Sequence, residues 1–372
     1  MVPRIDISRF AHGNTEERAE VAAAFDKAFC SVGFCLLVGI EEWLPPHVIQ
    51  NARAAAHRFF LSSPQAKRRA YLDGVVGYLP PGAENVSSSA GTPSASPDPV
   101  ESLNLPGYQE RGSEWQARLE GCDCPWEKAP WLPEDLTRPL AEYWRGATSL
   151  MLLLMSLSEL ALDLPPGYFD KSFERPGTLL RIAWYPPQAP GEETAQPQLR
   201  YGEHTDFDGF TLLQREGDSA DNPGLEIETA GGEWMAVDSS PGTLTINIGD
   251  LLQRWTNRRW RATMHRVAKP APGSVASTQG RLSVVYFTGP HPETLVECLP
   301  FPKCVSASCP PKYAPITALD HVLQKMRAAT ECTEMNSRHY TSRGISVGIA
   351  LGTLFTAGVV AFSYGVLRFR RR

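Results

Sequence analysis

The sequence predicts a mainly β protein with flanking helices: a double-stranded β-helix (jelly-roll) core, plus one C-terminal transmembrane helix. Three observations predict it. Short β-type segments separated by turns recur from Leu179 to Phe287. Helical spacings dominate residues 1–75 and 134–163 instead. Finally, Ile345–Leu367 runs for 23 residues without a charge.

The elements follow in chain order. Glu16–Cys30 is Ala-rich, with Val21, Ala24, Phe25, Ala28 and Phe29 at helical spacing. Gly33–Val38 reads as a short buried strand, and a second helix is expected from Pro46 to Leu61, ending before Pro64. Residues 82–99 are rich in Ser, Pro and Gly and read as a mobile loop. A long amphipathic helix is expected over 134–163. Strands are expected at Leu179–Tyr185, Gly209–Leu213, Leu225–Glu228, Trp234–Val237, Leu244–Ile248, Met264–Ala268 and Leu282–Phe287, and a further helix near 314–329. The chain therefore divides into an N-terminal region (1–120), a connecting helical region (121–178), the jelly roll (179–300), a helix and linker (301–340) and the apolar segment (345–367).

That apolar segment would be about 35 Å long as a helix, enough to cross a hydrocarbon layer. Arg338 and Arg343 precede it, and Arg368, Arg370, Arg371 and Arg372 follow. MVPRIDISRF lacks the apolar core of a secretory signal. The expectation is a single-pass tail anchor with the catalytic body in the cytosol, the basic flanks suiting a mitochondrial outer or other organelle membrane.

Charge and cysteines limit the classes of function. The net charge is −5, and without the last five residues the balance is 32 basic against 41 acidic. So acidic a body argues against nucleic-acid binding. None of the eight cysteines forms a CxxC, so neither a zinc knuckle nor a small disulfide framework is expected, and free thiols in a reducing compartment are.

The chemistry concentrates in His204-Thr205-Asp206, followed at a distance by His265. Residues i and i+2 of an extended chain point the same way. Two imidazoles and one carboxylate on one face of a metal leave positions open, the arrangement of non-haem Fe(II) oxygenases; zinc is an alternative. Arg281 and Ser283 share one face of the segment RLSVVYF and form a donor pair suited to a carboxylate.

These motifs stand in a longer ordered set: Ile5-Asp6, Gly33-Phe34, Arg58-Phe59-Phe60 before Pro64 and Lys67, LLRIAWYPP (179–187), HTDFDGFTLL, ATMHRV, RLSVVYF and CLP (298–300). Over residues 3–330 the set resembles the isopenicillin N synthase-like family of 2-oxoglutarate/Fe(II) dioxygenases. The resemblance implies His204, Asp206 and His265 as catalytic iron ligands. It implies Arg281, Ser283 and Tyr185 as the holders of the distal 2-oxoglutarate carboxylate. Fe(II), 2-oxoglutarate and O2 are the implied cofactor and co-substrates, with ascorbate supportive, and a small molecule is the substrate. Ala183 stands where many plant members have Asn. Tyr78, Glu101, Trp184, Phe207 and Phe287 are candidates to face the substrate. A membrane-tethered sensor without catalysis, or an oxidase of the same fold that does not use 2-oxoglutarate, are the competing readings.

Overall fold

The structure, a computed structural model, describes residues 1–72, 77–90, 97–107, 124, 126–127, 129–187, 199–216, 224–238, 240, 242–270 and 275–325. The apolar segment Ile345–Leu367 lies outside them. Among the described residues no helix is long and apolar enough to cross a membrane.

Two sheets form the core. The larger has eight strands: β1 (Arg4–Asp6), β2 (Phe34–Val38), β3 (Gly77–Leu79), β4 (Glu101–Pro106), β5 (Gly177–Tyr185), β7 (Phe210–Arg215), β10 (Leu244–Ile248) and β12 (Arg281–Gly289), in the order β1-β2-β10-β7-β12-β5-β4-β3. The smaller has β6 (Tyr201–His204), β8 (Leu225–Glu228), β9 (Trp234–Ala236) and β11 (His265–Val267), in the order β6-β11-β8-β9. This is a mainly β core with helices packed outside the larger sheet, the architecture expected of a jelly roll.

The helices have identifiable causes. Thr15–Ser31 begins with a capping box, in which the Asn14 side chain accepts from the Glu17 N–H and the Glu17 side chain accepts from the Asn14 N–H. It ends at Gly33, whose φ of 76° turns the chain into β2. The helix Glu134–Ala161 buries Leu140, Tyr143, Ala147, Leu150, Met151, Leu154 and Leu157, one stripe at spacings of three and four. Pro139 lies inside it and cannot donate to the carbonyl four residues back. That carbonyl, of Asp135, instead accepts from Arg58 at 3.3 Å.

Two expectations need correction. The described parts of 82–99, residues 82–90 and 97–99, are not a loose loop. Glu84 pairs with Asp98 across a β-bridge, and Val86–Ala90 is a 3-10 turn with Val86, Ser87 and Ser88 buried. Gly202 makes the turn's close approach possible, since a Cβ there would lie 1.9 Å from the Ser87 hydroxyl. The helix expected near 314–329 begins later, at residue 318. Ile316–Thr317 pairs with Leu295–Val296 as a strand, and the Thr317 hydroxyl then accepts from the Asp320 N–H as a cap.

Candidate metal and carboxylate site

His204 and His265 face each other across adjacent strands of the smaller sheet, in direct register. Their ring centroids are 4.2 Å apart. In each ring Nδ1 donates to a backbone carbonyl, of Gly202 at 2.9 Å and of Thr263 at 3.1 Å. A carbonyl can only accept, so Nδ1 carries a proton in both rings and Nε2 is the nitrogen turned toward Asp206. Both Nε2 atoms lie 3.6 Å from Asp206 Oδ1. Phe34 meets the His265 ring edge-on, with centroids 5.5 Å apart.

The larger sheet fixes the carboxylate. Thr211 and Asn247 are cross-strand partners on β7 and β10, and both donate to Asp206 Oδ2, Asn247 at 2.6 Å. Oδ1 is thereby left to face the imidazoles. Burial opposes ionisation of Asp206, but His265, His204 and these two donors outweigh it and hold the carboxyl below its usual range. Burial, reinforced by His265, pushes His204 down to about 3, so its imidazole is neutral. The three ligand atoms lie within 4.8 Å of one another, and no other such cluster occurs among the described residues. Two imidazoles and one carboxylate on a single face fit a divalent iron with open positions.

Asn247 and Thr211 were not apparent in the sequence, because neither belongs to a motif. Outer partners of this kind typically cost about 10–100-fold in metal affinity or activity when removed. Asn247→Ala is expected to weaken Fe(II) binding within that range while 2-oxoglutarate binding to the metal-loaded protein changes less. Metal titration monitored by calorimetry checks it.

The cavity in front of the triad runs between the two sheets. Arg281, Ser283 and Tyr185 line one end of it. Arg281 stands opposite Tyr185 in the β12–β5 ladder, and Ser283 stands opposite Ala183. Arg281 is 3% exposed. Arg200, which sequence reasoning missed, is buried close by, its guanidinium 6.0 Å from the Tyr185 ring. Burial, and then the Arg281 charge, lower the Arg200 pKa to about 10. Two guanidiniums close to one buried end of the cavity favour a carboxylate there over a neutral or cationic group.

Gly224 makes room for this end, because a Cβ there would lie 1.9 Å from Arg281 Nη1. The obstacle is the tip of a flexible side chain, so the fold should tolerate a methyl and the guanidinium should move. Gly224→Ala is expected to raise the KM for 2-oxoglutarate roughly tenfold or more, in line with losing a charge-assisted hydrogen bond, with thermal stability nearly unchanged. Steady-state kinetics beside a melting curve checks both parts.

Phe207 and Phe287 line the cavity as expected. Trp184, Tyr78 and Glu101 are not among the residues that line it. Neighbouring strand residues point to opposite faces. With Arg181, Ala183 and Tyr185 facing in, Trp184 faces the helices, where it stacks on Phe60 and meets His57 edge-on. Glu101 binds Lys67 at 2.5 Å and accepts from the Tyr78 hydroxyl at 2.8 Å, a tie holding the helix Pro64–Arg69 to β3 and β4.

The segment after Asp206 is braced from outside. Asp250 accepts from the Thr205 hydroxyl at 3.2 Å and forms an ion pair with Lys325. Lys325 Nζ also lies 6.0 Å from the centre of the Phe207 ring, and His321 hydrogen-bonds the Phe207 backbone. The helix over 318–325 thus holds both sides of the iron-facing turn.

Comparison with known proteins agrees with this geometry. Residues 176–290 match the family described as 2OG-Fe(II) oxygenase superfamily. Residues 2–123 match the family described as non-haem dioxygenase in morphine synthesis N-terminal. Validamycin A dioxygenase of Streptomyces hygroscopicus subsp. limoneus is 29% identical over 78% of this chain and 78% of its own. The 2-oxoglutarate-dependent dioxygenase citB of Monascus ruber is 29% identical over 77% of this chain and 84% of its own. A full-length Neurospora crassa protein, solved in complex with alpha-KG and thymine, superposes with a TM-score of 0.73 at 25% identity, over 89% of this chain and 97% of that one.

Proposed function

From a chain that belongs to the 2OG-Fe(II) oxygenase superfamily, we propose a dioxygenase that oxidises a small organic molecule held beside Phe207 and Phe287. It consumes 2-oxoglutarate and O2 and yields succinate and CO2, one oxygen atom entering succinate and the other the substrate. One observation carries the reading. The convergent His204, Asp206 and His265 ligand atoms open into the same cavity whose end is lined by Arg281, Ser283 and Tyr185.

Bound Fe(II) supplies the activation of O2 and the electron transfers that side chains cannot perform. The chain does the rest. Nδ1 hydrogen bonds fix the orientation of both imidazoles and leave Nε2 to serve as the ligand atom. Thr211 and Asn247 orient the carboxylate. The Arg281 fork, with the Ser283 and Tyr185 hydroxyls beside it, takes the distal carboxylate of 2-oxoglutarate and so fixes the direction of its chain. Leu179, Leu213, Val285 and Phe287 wall the cavity and exclude water from it. The test is succinate formation by purified protein given Fe(II), 2-oxoglutarate and ascorbate, with a mass-spectrometric search for substrates that gain oxygen. A protein that binds Fe(II) and 2-oxoglutarate yet forms no succinate with or without substrates would refute the reading.

A membrane anchor at Ile345–Leu367 is proposed from its uncharged apolar run. The free, mostly buried cysteines among the described residues suit a reducing compartment, which supports a cytosolic body. The protein is expected to resist carbonate extraction and to lose an N-terminal tag to protease in intact organelles. Release by carbonate would end the anchor proposal, and protection of the tag would end the cytosolic placement.

A further inference from the structure

At the end of the cavity away from Arg281 sits an ion pair. Arg181 Nη1 donates to Glu84 Oε1 at 2.7 Å and Nη2 to Glu84 Oε2 at 2.5 Å, a two-pronged contact. Arg181 is 6% exposed and Glu84 2%, and both line the cavity. Asn104 accepts from Arg181 Nη1 at 3.3 Å, and the Tyr201 ring lies 5.4 Å from the guanidinium carbon. The partners come from different places: Arg181 from the middle of β5, and Glu84 from the segment bridged to Asp98. Arg181 precedes Tyr185 by four residues on one strand, so the two ends of the cavity are separated by roughly 13 Å along β5. Phe287, Val285 and Leu179 stand on this second end, since Phe287 pairs with Leu179 and Val285 with Arg181 in the β12–β5 ladder.

A tie between loop and strand does not need to face a cavity. A well-packed apolar contact would hold the two as firmly, because a buried ion pair loses most of its attraction to desolvation. What this arrangement does provide is a fixed polar wall whose two cavity-lining charges cancel; the Asp98 carboxyl behind Glu84 accepts from the Val86 and Gly202 N–H groups and does not line the cavity. An anion placed here meets the Glu84 carboxylate, and a cation meets the guanidinium. Either would be taken out of water without a partner of its own. A neutral group with a carbonyl and an N–H meets donors and acceptors of both kinds. Beside it, Phe207, Phe287 and Leu179 offer apolar surface to a flat body.

We infer that the Glu84–Arg181 pair sets the charge of the substrate, and that the substrate is an uncharged molecule with a flat apolar body and an amide-like polar edge. This rests on the oxygenase reading above.

The experiment uses full-length protein loaded with Fe(II) and saturating 2-oxoglutarate under argon, which occupies the Arg281 end. Benzamide, benzoate and benzylammonium are titrated by calorimetry. They share one ring and differ in the charge at its edge. Wild type is expected to bind benzamide roughly tenfold or more tightly than either charged probe, since an unpartnered charge beside a like charge is costly. Glu84→Gln leaves the guanidinium unbalanced and should move the preference toward benzoate. Arg181→Gln should move it the other way, toward benzylammonium. A purely structural tie would weaken all three probes alike in both variants, and that pattern overturns the inference. So does a wild type that binds benzoate as tightly as benzamide, or that binds none of the three. If neither variant folds, the wild-type ranking decides alone. Failure to bind 2-oxoglutarate in the first place would count against the oxygenase reading instead.

Discussion

Asp206→Ala protein supplied with Fe(II), 2-oxoglutarate and ascorbate is expected to form no succinate above background. Its carboxylate is the one anionic ligand of the three and lies 3.6 Å from both imidazole Nε2 atoms. Losing it should exceed the roughly 10–100-fold cost usual for an outer partner, because the metal itself leaves. The fold should survive. The variant strands the donors of Thr211 and Asn247, a cost of about 1–3 kcal/mol for each buried group left unsatisfied. It also relieves the crowding of a buried charge. A melting curve lowered by a few degrees, with iron content near zero by atomic absorption, is the expected pair of results. His204→Ala and His265→Ala should behave alike. Near wild-type decarboxylation by Asp206→Ala would mean that the metal is held elsewhere.

The second large effect is on the co-substrate. Arg281→Ala is expected to raise the KM for 2-oxoglutarate by about 2–4 kcal/mol of lost binding, roughly 30- to 1000-fold. The carboxylate would enter a dry end of the cavity without its bidentate partner. Arg200, buried nearby, should keep the loss from being total. Arg281→Lys should recover only part of the affinity, since an ammonium cannot reproduce two parallel hydrogen bonds. Iron binding should be unchanged in both, which separates the carboxylate site from the metal site. A 2-oxoglutarate dependence unaltered in Arg281→Ala would remove Arg281 from this role.

Local pattern made much of this legible before any coordinates. The strands Leu225–Glu228 and Leu244–Ile248 occur with the expected bounds, because short apolar runs between turn residues have few alternatives. His204, Asp206 and His265 were readable because a metal imposes ligand types and spacing. That Arg281 and Ser283 face one cavity together was readable because a strand repeats every two residues. The same rule argued against Trp184. Tyr185 and Trp184 are neighbours on one strand and cannot both face one cavity. What stayed hidden depends on contacts between distant segments. Nothing in a Ser/Pro/Gly-rich stretch marks Glu84 as the partner of Arg181, nearly a hundred residues on. Gly224 matters through space that Arg281 occupies, and an empty position leaves no trace in a residue pattern.

The brace at Lys325 decides where the chain can safely be shortened to remove the apolar run proposed as an anchor. Asp250 is 8% exposed, and Lys325 is its cation. Stopping before Lys325 would leave that carboxylate buried without its counter-charge, one hydrogen bond from Thr205 and so beside both Asp206 and Phe207. Stopping after Thr341 retains the brace and removes the apolar run. Two shortened proteins of almost equal length should therefore differ in substrate handling far more than in size. A loss of activity on early truncation would report a missing lysine rather than a need for lipid.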